Sequence, residues 1–187
     1  MQHNRREPLT YGPALGVTVA CSTATLASAE IAALEARALG LMRTIFAARE
    51  RGRPGDKAHF GIQSGDLFVQ AMAPADGLII WLEAASPKFS PEAWKPNPQR
   101  KARLLARLGF SPPGPQSPNY WRHIRVRGPA DLAGPARIAA VVLNCVFGVT
   151  DGVVSDTWLN LPSEDHWVDP TGWAEALAND YSTGLDW

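Results

Sequence analysis

The residues best suited to nucleophilic chemistry in this chain are its two cysteines, Cys21 and Cys145. A cysteine attacks as the thiolate, which a nearby histidine or another positive charge stabilises. The histidines considered for such a pair are His59, His123 and His166. Cys145 lies in an almost wholly apolar segment, where burial is expected to raise the thiol pKa, so we expect an unreactive, packed side chain. The wide spacing of the cysteines, without a Cys-x-x-Cys pair, disfavours a disulfide scaffold and a structural zinc site.

A second candidate for chemistry is the polar group Glu164, Asp165, His166 and Asp169. Carboxylates with a histidine can ligate a cation, but no second histidine or cysteine stands at ligand spacing, and such a group is more typical of a solvent-facing turn. The sequence also has no glycine-rich phosphate loop, nucleophile elbow or His-Glu-x-x-His motif. We therefore predict no catalytic residue, no metal and no cofactor. A small Cys/His-based or metal-dependent hydrolase is the alternative.

Charge and composition limit the classes of partner. The 187 residues are 45% hydrophobic, and 18 Lys and Arg balance 18 Asp and Glu. A chain without net charge has no field that attracts nucleic acid or an anionic membrane. Its apolar runs are shorter than the roughly 18 to 20 residues that span a membrane. We therefore expect no nucleic-acid or membrane partner, and a cytoplasmic protein.

The N-terminal residues 1–27 are predicted to form a flexible leader. An export signal is the alternative, because Arg5 and Arg6 precede a mildly apolar stretch at residues 15–21, and Ala27-Ser28-Ala29 resembles a cleavage site. Proline and glycine dilute the apolar stretch, which favours the leader.

The next elements follow from hydrophobic periodicity. Apolar residues recur at helical spacing over 28–50, which predicts an amphipathic helix. Strands are predicted at 57–63, 66–73 and 77–84, and their short Gly, Asp and Pro connections favour an antiparallel meander. The second and third strands are apolar on both faces. Something is therefore expected to cover the second face.

The second half of the domain is predicted from the same signals. The proline-rich residues 86–98 indicate a surface loop carrying Phe89 and Trp94, and a short helix follows at 99–108. A strand at 120–127 and an apolar helix at 134–147 complete the pattern. Residues 151–187, which contain scattered tryptophans, are predicted to form a C-terminal extension that packs on the domain.

This order of elements and several short motifs carry a family resemblance. The residues that carry it are 66–70, 78–83, 105–113 with its Leu-Gly-Phe-x-Pro-Pro sequence, Asn119-Tyr120-Trp121, and 142–149. The region resembles the TY-Chap families, which share the fold of the type III secretion chaperones and their YbjN-like relatives. The resemblance implies an α+β domain over residues 28–150, in which a twisted antiparallel sheet is flanked by helices in the order α-β-β-β-α-β-α. It also implies a protein-binding module without enzymatic activity.

The doubly apolar sheet supplies the predicted binding site, because exposed apolar patches on soluble proteins usually mark a partner site. The expected partner-binding residues are Phe68, Gln70, Met72, Ile79, Trp81 and Trp121. In the alternative interpretation, the N-terminal helix covers one face of the sheet and the tail tryptophans cover the other. The predicted function is that of a chaperone, escort or adaptor for a partner polypeptide, with a homodimer plausible. An immunity or toxin-neutralising protein is an alternative that uses the same binding physics.

The fourth strand adds a basic and aromatic stripe formed by Trp121, His123, Arg125 and Arg127. Such a stripe can hold an acidic peptide or a nucleic-acid strand by stacking and charge. The balanced net charge argues against nucleic acid, and a solvated strand face is the simpler interpretation.

Overall fold

A computed structural model describes residues 24–49, 57–75 and 78–161. The predicted leader before residue 24 and the C-terminal residues 162–187 lie outside the described residues. The described residues form an α+β fold built on a five-stranded antiparallel sheet. The strands are β1 (Lys57–Ser64), β2 (Leu67–Pro74), β3 (Ile79–Ala84), β4 (Tyr120–Arg125) and β5 (Asp156–Asn160). The helices are α1 (Ala24–Ala48), α2 (Pro91–Trp94), α3 (Pro98–Arg107) and α4 (Ala133–Val141). The predicted fold class is confirmed.

The sheet has the strand order β4-β3-β2-β1-β5. The first three strands form the predicted meander, and the β1–β2 turn is made possible by Gly65, whose φ of 55° favours glycine. β4 pairs with β3 at one edge of the sheet, and β5 pairs with β1 at the other. β5 lies within the region that the sequence analysis placed in the C-terminal extension. The sheet therefore continues beyond residue 150.

Alternation of side chains along each strand divides the sheet into two faces. The helix-facing face carries apolar side chains that are almost completely shielded from solvent. They include Phe60 and Ile62 of β1, Val69 of β2, and Ile80 and Leu82 of β3. α1 packs against β1 and β2, and α4 lies beside α1 and contacts β3. The core of the domain lies between this face and these helices.

α1 begins at Ala24, four residues before the predicted start, and Ala27-Ser28-Ala29 lies inside it. Two ion pairs connect α1 to later parts of the chain. Arg37 Nε lies 2.8 Å from Asp151 Oδ1, and Arg137 Nη1 lies 2.8 Å from Glu35 Oε2. Within the described residues, α1 and the shorter helices all lack an apolar stretch long enough to cross a membrane.

The loop between β3 and α3 differs from its prediction. Phe89 is exposed as expected, but Trp94 belongs to α2 and is only 2% exposed. Its ring stacks on Tyr120 with a centroid separation of 5.4 Å, and its indole Nε1 donates to the carbonyl oxygen of Ala85. The buried Lys101 anchors the same segment by donating from Nζ to two of its backbone carbonyl oxygens. The proline-rich loop is therefore packed against the domain through Trp94.

The predicted helix over residues 134–147 is also divided. α4 gives way to a π-helical turn at Val142–Val146, and the helical segment ends before Gly148, whose φ is 75°. Cys145 is mostly buried in this turn and is disulfide-bonded. The expectation of a packed residue is correct, and the sequence analysis, which disfavoured a disulfide scaffold, did not predict the disulfide of this cysteine. In this state Cys145 has no thiol to act as a nucleophile.

Candidate functional site

The second face of the sheet, called the outer face here, is defined by the side chains that point away from α1 and α4. Along the five strands these are residues 57, 59, 61 and 63 of β1, 68, 70, 72 and 74 of β2, 79, 81 and 83 of β3, 121, 123 and 125 of β4, and 156, 158 and 160 of β5. The structure brings all six predicted partner-binding residues to this one face. Ile79 is 37% exposed, and Phe68, Met72, Trp81 and Trp121 are half-buried.

An aromatic cluster occupies the β3–β4 side of the outer face. Trp81 lies opposite His123 in the strand register, and their ring centroids are 4.6 Å apart with an edge-to-face geometry. Trp121 approaches both rings, at 6.2 Å from Trp81 and 5.0 Å from His123. Aromatic pairs in this range attract one another beyond simple area burial. The strands thus present a preformed aromatic surface.

Residues that lie side by side across neighbouring strands form rows on the outer face. Two cationic side chains lie in the first row, which contains the first residue of β1. Lys57 and Arg125 stand at opposite ends of this row, with Pro74 and Ile79 between them in the strand register. The ammonium Nζ of Lys57 lies 5.9 Å from the ring centroid of Trp81, within the range of a cation–π interaction. The basic stripe predicted on β4 therefore joins the apolar surface of β2 and β3.

The indole nitrogen of Trp81 has no hydrogen-bond partner among the described residues, and it is shielded from solvent. An unsatisfied buried donor costs about 1–3 kcal/mol relative to a paired one. A carbonyl or carboxylate oxygen that reached this nitrogen would relieve that cost. Trp81 therefore combines a half-buried apolar ring with an unsatisfied N–H donor.

Polar residues form the centre of the outer face. Glu83 is 2% exposed, and its Oε2 accepts hydrogen bonds from Gln70 Nε2 at 2.7 Å and from Asn119 Nδ2 at 3.1 Å. The carboxylate is held by neutral amides, and no ion pair to Glu83 is formed within the described part of the chain. Asn119 Oδ1 is buried and lacks a hydrogen-bond partner among the described residues. Gln70 is thus a buried support for Glu83 rather than an exposed contact residue.

The six predicted partner-binding residues do not include Trp158, although the alternative interpretation expected the tail tryptophans to cover this face. Trp158 stands opposite Gly61 on the outer face, and its ring lies over that glycine. A Cβ atom at Gly61 would fall 1.9 Å from the indole ring, so the close approach requires glycine. The same indole meets Phe68 edge-on with a centroid separation of 6.4 Å. The signal was present, because a glycine inside a strand often marks a close approach of another group.

His59 lies between the two aromatic regions. It faces Met72 on β2 and Asn160 on β5 in the strand register, and Lys57 is its neighbour on the same face of β1. Burial lowers the pKa of His59 below its usual 6.5, and the nearby charge of Lys57 acts in the same direction, against a backbone hydrogen bond that raises it. The folded protein therefore favours the neutral imidazole. His59 adds no positive charge to this face at neutral pH.

The sequence also offered candidates for chemistry away from the outer face. The group at residues 164–169 and His166 lie outside the described residues. Within residues 24–49, 57–75 and 78–161, no set of three or more His, Cys, Asp or Glu side chains is arranged to hold a metal ion. The arrangement that the described residues do provide is a surface of aromatic, cationic and amide groups.

Comparison with known families agrees with this architecture. A family model described as TY-Chap3, "T3SS (YopN, CesT) and YbjN peptide-binding chaperone 3", matches residues 42–159, close to two thirds of the chain. The chain belongs to the TY-Chap3 family. The resemblance drawn from the sequence is thereby confirmed, and the TY-Chap3 match extends into β5. No curated protein and no solved structure matches the chain.

Proposed function

We propose that this TY-Chap3 protein binds a partner polypeptide on the outer face of its sheet, as a non-enzymatic chaperone, escort or adaptor. The family description names peptide-binding chaperones, which supports a binding role. The single observation that carries the proposal is the contrast within the sheet. One face is sealed by helices, while the other carries half-exposed aromatic side chains that no described helix covers.

The chemistry of the outer face favours a particular kind of peptide. Trp81 and Trp121 offer ring surface to apolar or aromatic side chains, and Lys57 with Arg125 offers positive charge to carboxylates. The unpartnered indole N–H of Trp81 adds a donor for a peptide oxygen. We therefore propose an extended peptide that combines aromatic and acidic residues. Phe68, Met72 and Ile79 widen the apolar part of the same surface.

Co-purification from native lysate, with mass-spectrometric identification, tests the binding role. We expect a specific polypeptide with the wild-type protein and its loss with Trp81→Asp. Because Trp81 is half-buried, Ile79→Asp provides a second variant at a more exposed position. Phe89→Asp is the matched control, since Phe89 is 49% exposed and lies outside the sheet. Recovery that is unchanged in both outer-face variants, with unfolding temperatures near that of the wild type, would exclude this face as the binding site.

The oligomeric state and the location of the protein belong to the same proposal. A homodimer remains a prediction, which light scattering coupled to size-exclusion chromatography tests. We propose a cytoplasmic location, as is typical of such chaperones. Export remains the alternative, and the two locations differ in redox state, because disulfides are rare in reducing compartments. Thiol trapping in intact cells separates the two, since a reduced Cys145 supports the cytoplasm and an oxidised one supports export.

A further inference from the structure

The balanced net charge of the chain hides a separation of charge along the sequence. All 18 Lys and Arg residues precede residue 162, together with 12 of the 18 Asp and Glu residues. Residues 162–187, called the C-terminal segment here, contain the other six acidic residues and no Lys or Arg. With histidine neutral, the segment carries a net charge of −6 and the rest of the chain carries +6. The segment also contains Trp167, Trp173, Tyr181 and Trp187.

The position at which this segment leaves the sheet is set by β5. β5 runs antiparallel to β1, with Asn160 opposite His59, so the chain after Leu161 departs beside the start of β1. The row of the outer face nearest this point contains Lys57 and Arg125, and the next row contains Trp81 and His123. The acidic segment therefore begins at the end of the sheet where the outer face is cationic.

The length of the segment is sufficient to cross this face. Five strands about 4.8 Å apart make a sheet about 19 Å wide. The 26 residues from 162 to 187 could extend at most about 85 Å at roughly 3.3 Å per residue. The segment can thus reach β4 from β5 without unfolding any described strand.

We propose that the acidic, aromatic C-terminal segment occupies the outer face of its own sheet and competes there with a partner peptide. Its carboxylates face Lys57 and Arg125, and its aromatic side chains pack against Trp81 and Trp121. The segment thereby covers the half-exposed apolar surface when no partner is bound. The inference rests on the proposed function only in assigning the partner to the same face.

The strength of this competition follows from effective concentration. A short flexible connection gives an intramolecular ligand an effective concentration of about 1 mM. If the segment itself binds the open face with a dissociation constant of about 100 µM, any competing free peptide would then bind about tenfold more weakly while the segment is attached. The attraction between opposite charges is screened by salt, so the difference should shrink as ionic strength rises.

The test uses the full chain and two variants that change charge without removing residues. In the first variant the six acidic residues of the C-terminal segment are replaced by their amides, at positions 164, 165, 169, 175, 180 and 186. The second is Lys57→Glu. Arg100→Glu is the matched control, because Arg100 is exposed on α3 and is not part of the sheet. A synthetic peptide with the sequence of residues 162–187 is the probe, and the indole N–H resonances of ¹⁵N-labelled protein report the outer face.

We expect the amide variant to shift the indole signals of Trp81 and Trp121 and to bind the synthetic peptide about tenfold more tightly than the wild type. Lys57→Glu should produce similar indole shifts and, combined with the amide variant, should weaken peptide binding, whereas Arg100→Glu should do neither. Unchanged indole signals together with equal peptide affinity in the wild type and the amide variant would overturn the proposal. Indole shifts that depend on protein concentration, with the mass of a dimer, would overturn it too and would assign the face to a second copy.

One further experiment distinguishes a failure of this inference from a failure of the proposed function. Binding of a peptide selected from a random display library is compared on the wild type and the amide variant, each with and without Ile79→Asp. The selected peptide could bind the wild type and the amide variant with equal affinity and lose binding to both when Ile79→Asp is introduced. This result would uphold the proposed function and overturn the competition by the C-terminal segment. Alternatively, the indole signals could shift in the amide variant while Ile79→Asp leaves the binding of selected peptides unchanged. This result would uphold the occupation of the face by the segment and overturn the proposed function.

Discussion

The two faces of the sheet are built from the same strands and yet differ in almost every physical property. On the helix-facing face, Phe60 and Leu82 are fully buried against helices. On the outer face, Trp81 and Trp121 are half-buried, and buried amides hold the carboxylate of Glu83. The difference indicates that one face stabilises the fold, while the other uses rigid strands to position the groups to which we assign the proposed binding.

Two phenylalanines on neighbouring strands provide the sharpest test of this comparison. Phe60→Ala on the helix-facing face should lower the free energy of unfolding by about 3–5 kcal/mol, because a fully buried ring leaves a cavity. Phe68→Ala on the outer face should cost about 1–2 kcal/mol, since its ring is only half-buried. Urea unfolding of both variants measures the difference. Equal losses in the free energy of unfolding would contradict the assignment of fold stability to the helix-facing face.

The carboxylate network of the outer face should give the next largest effect. Glu83→Ala leaves the amide donors of Gln70 and Asn119 without their acceptor, which should cost about 2–3 kcal/mol. Glu83→Gln keeps an acceptor and should cost less than about 1 kcal/mol. The two variants are compared by urea unfolding. A Glu83→Ala variant as stable as the wild type would show that these hydrogen bonds do not stabilise the outer face.

The contact between Gly61 and Trp158 predicts a smaller loss. Gly61→Ala would place a methyl group inside the indole ring, so the ring must move and lose its contact with Phe68, at a cost of about 1–2 kcal/mol. The double variant Gly61→Ala, Trp158→Leu should recover part of this loss, because the smaller side chain leaves room for the methyl group. A thermodynamic cycle measured by urea unfolding checks the coupling, and strictly additive effects would argue against the clash.

The sequence predicted the faces better than it predicted the edges of the sheet. Alternation along β2, β3 and β4 correctly grouped Phe68, Trp81 and Trp121, because alternation depends only on local strand geometry. β5 was assigned to an extension, since a five-residue strand in a turn-rich segment gives little periodic signal. Its position is set by pairing with β1, roughly a hundred residues earlier, which is a contact between distant parts of the chain.

Burial of individual side chains was the least predictable feature. Trp94 lies among four prolines that indicate a surface loop, but its ring stacks on Tyr120 and is buried in the domain. Gln70 was predicted to contact a partner directly, and in the structure it supports the buried Glu83. Both outcomes depend on partners in other elements, which hydrophobic patterns within one element do not reveal.

The pH dependence of stability should give the smallest effect. Because burial lowers the pKa of His59 in the folded state, the unfolded chain binds more protons as the pH falls below 6.5. The free energy of unfolding should therefore decrease with acidification from pH 6.5 down to the folded-state pKa of His59. Above pH 6.5, His59 should cause no further change of stability with pH. His59→Gln should flatten this part of the curve, as measured by urea unfolding between pH 7.5 and 4.5. An unchanged slope would argue against a buried, neutral His59.

The measurement that addresses the outer face most directly is a map of peptide binding by nuclear magnetic resonance. A peptide selected from a random display library is added to the ¹⁵N-labelled full chain, and the indole signals of Trp81, Trp121 and Trp94 are followed. Binding on the outer face should shift Trp81 and Trp121 and leave Trp94 unchanged, because Trp94 is packed against Tyr120 and Phe147. Shifts confined to Trp94 and to the helices, with Trp81 and Trp121 unmoved, would contradict peptide binding on the outer face.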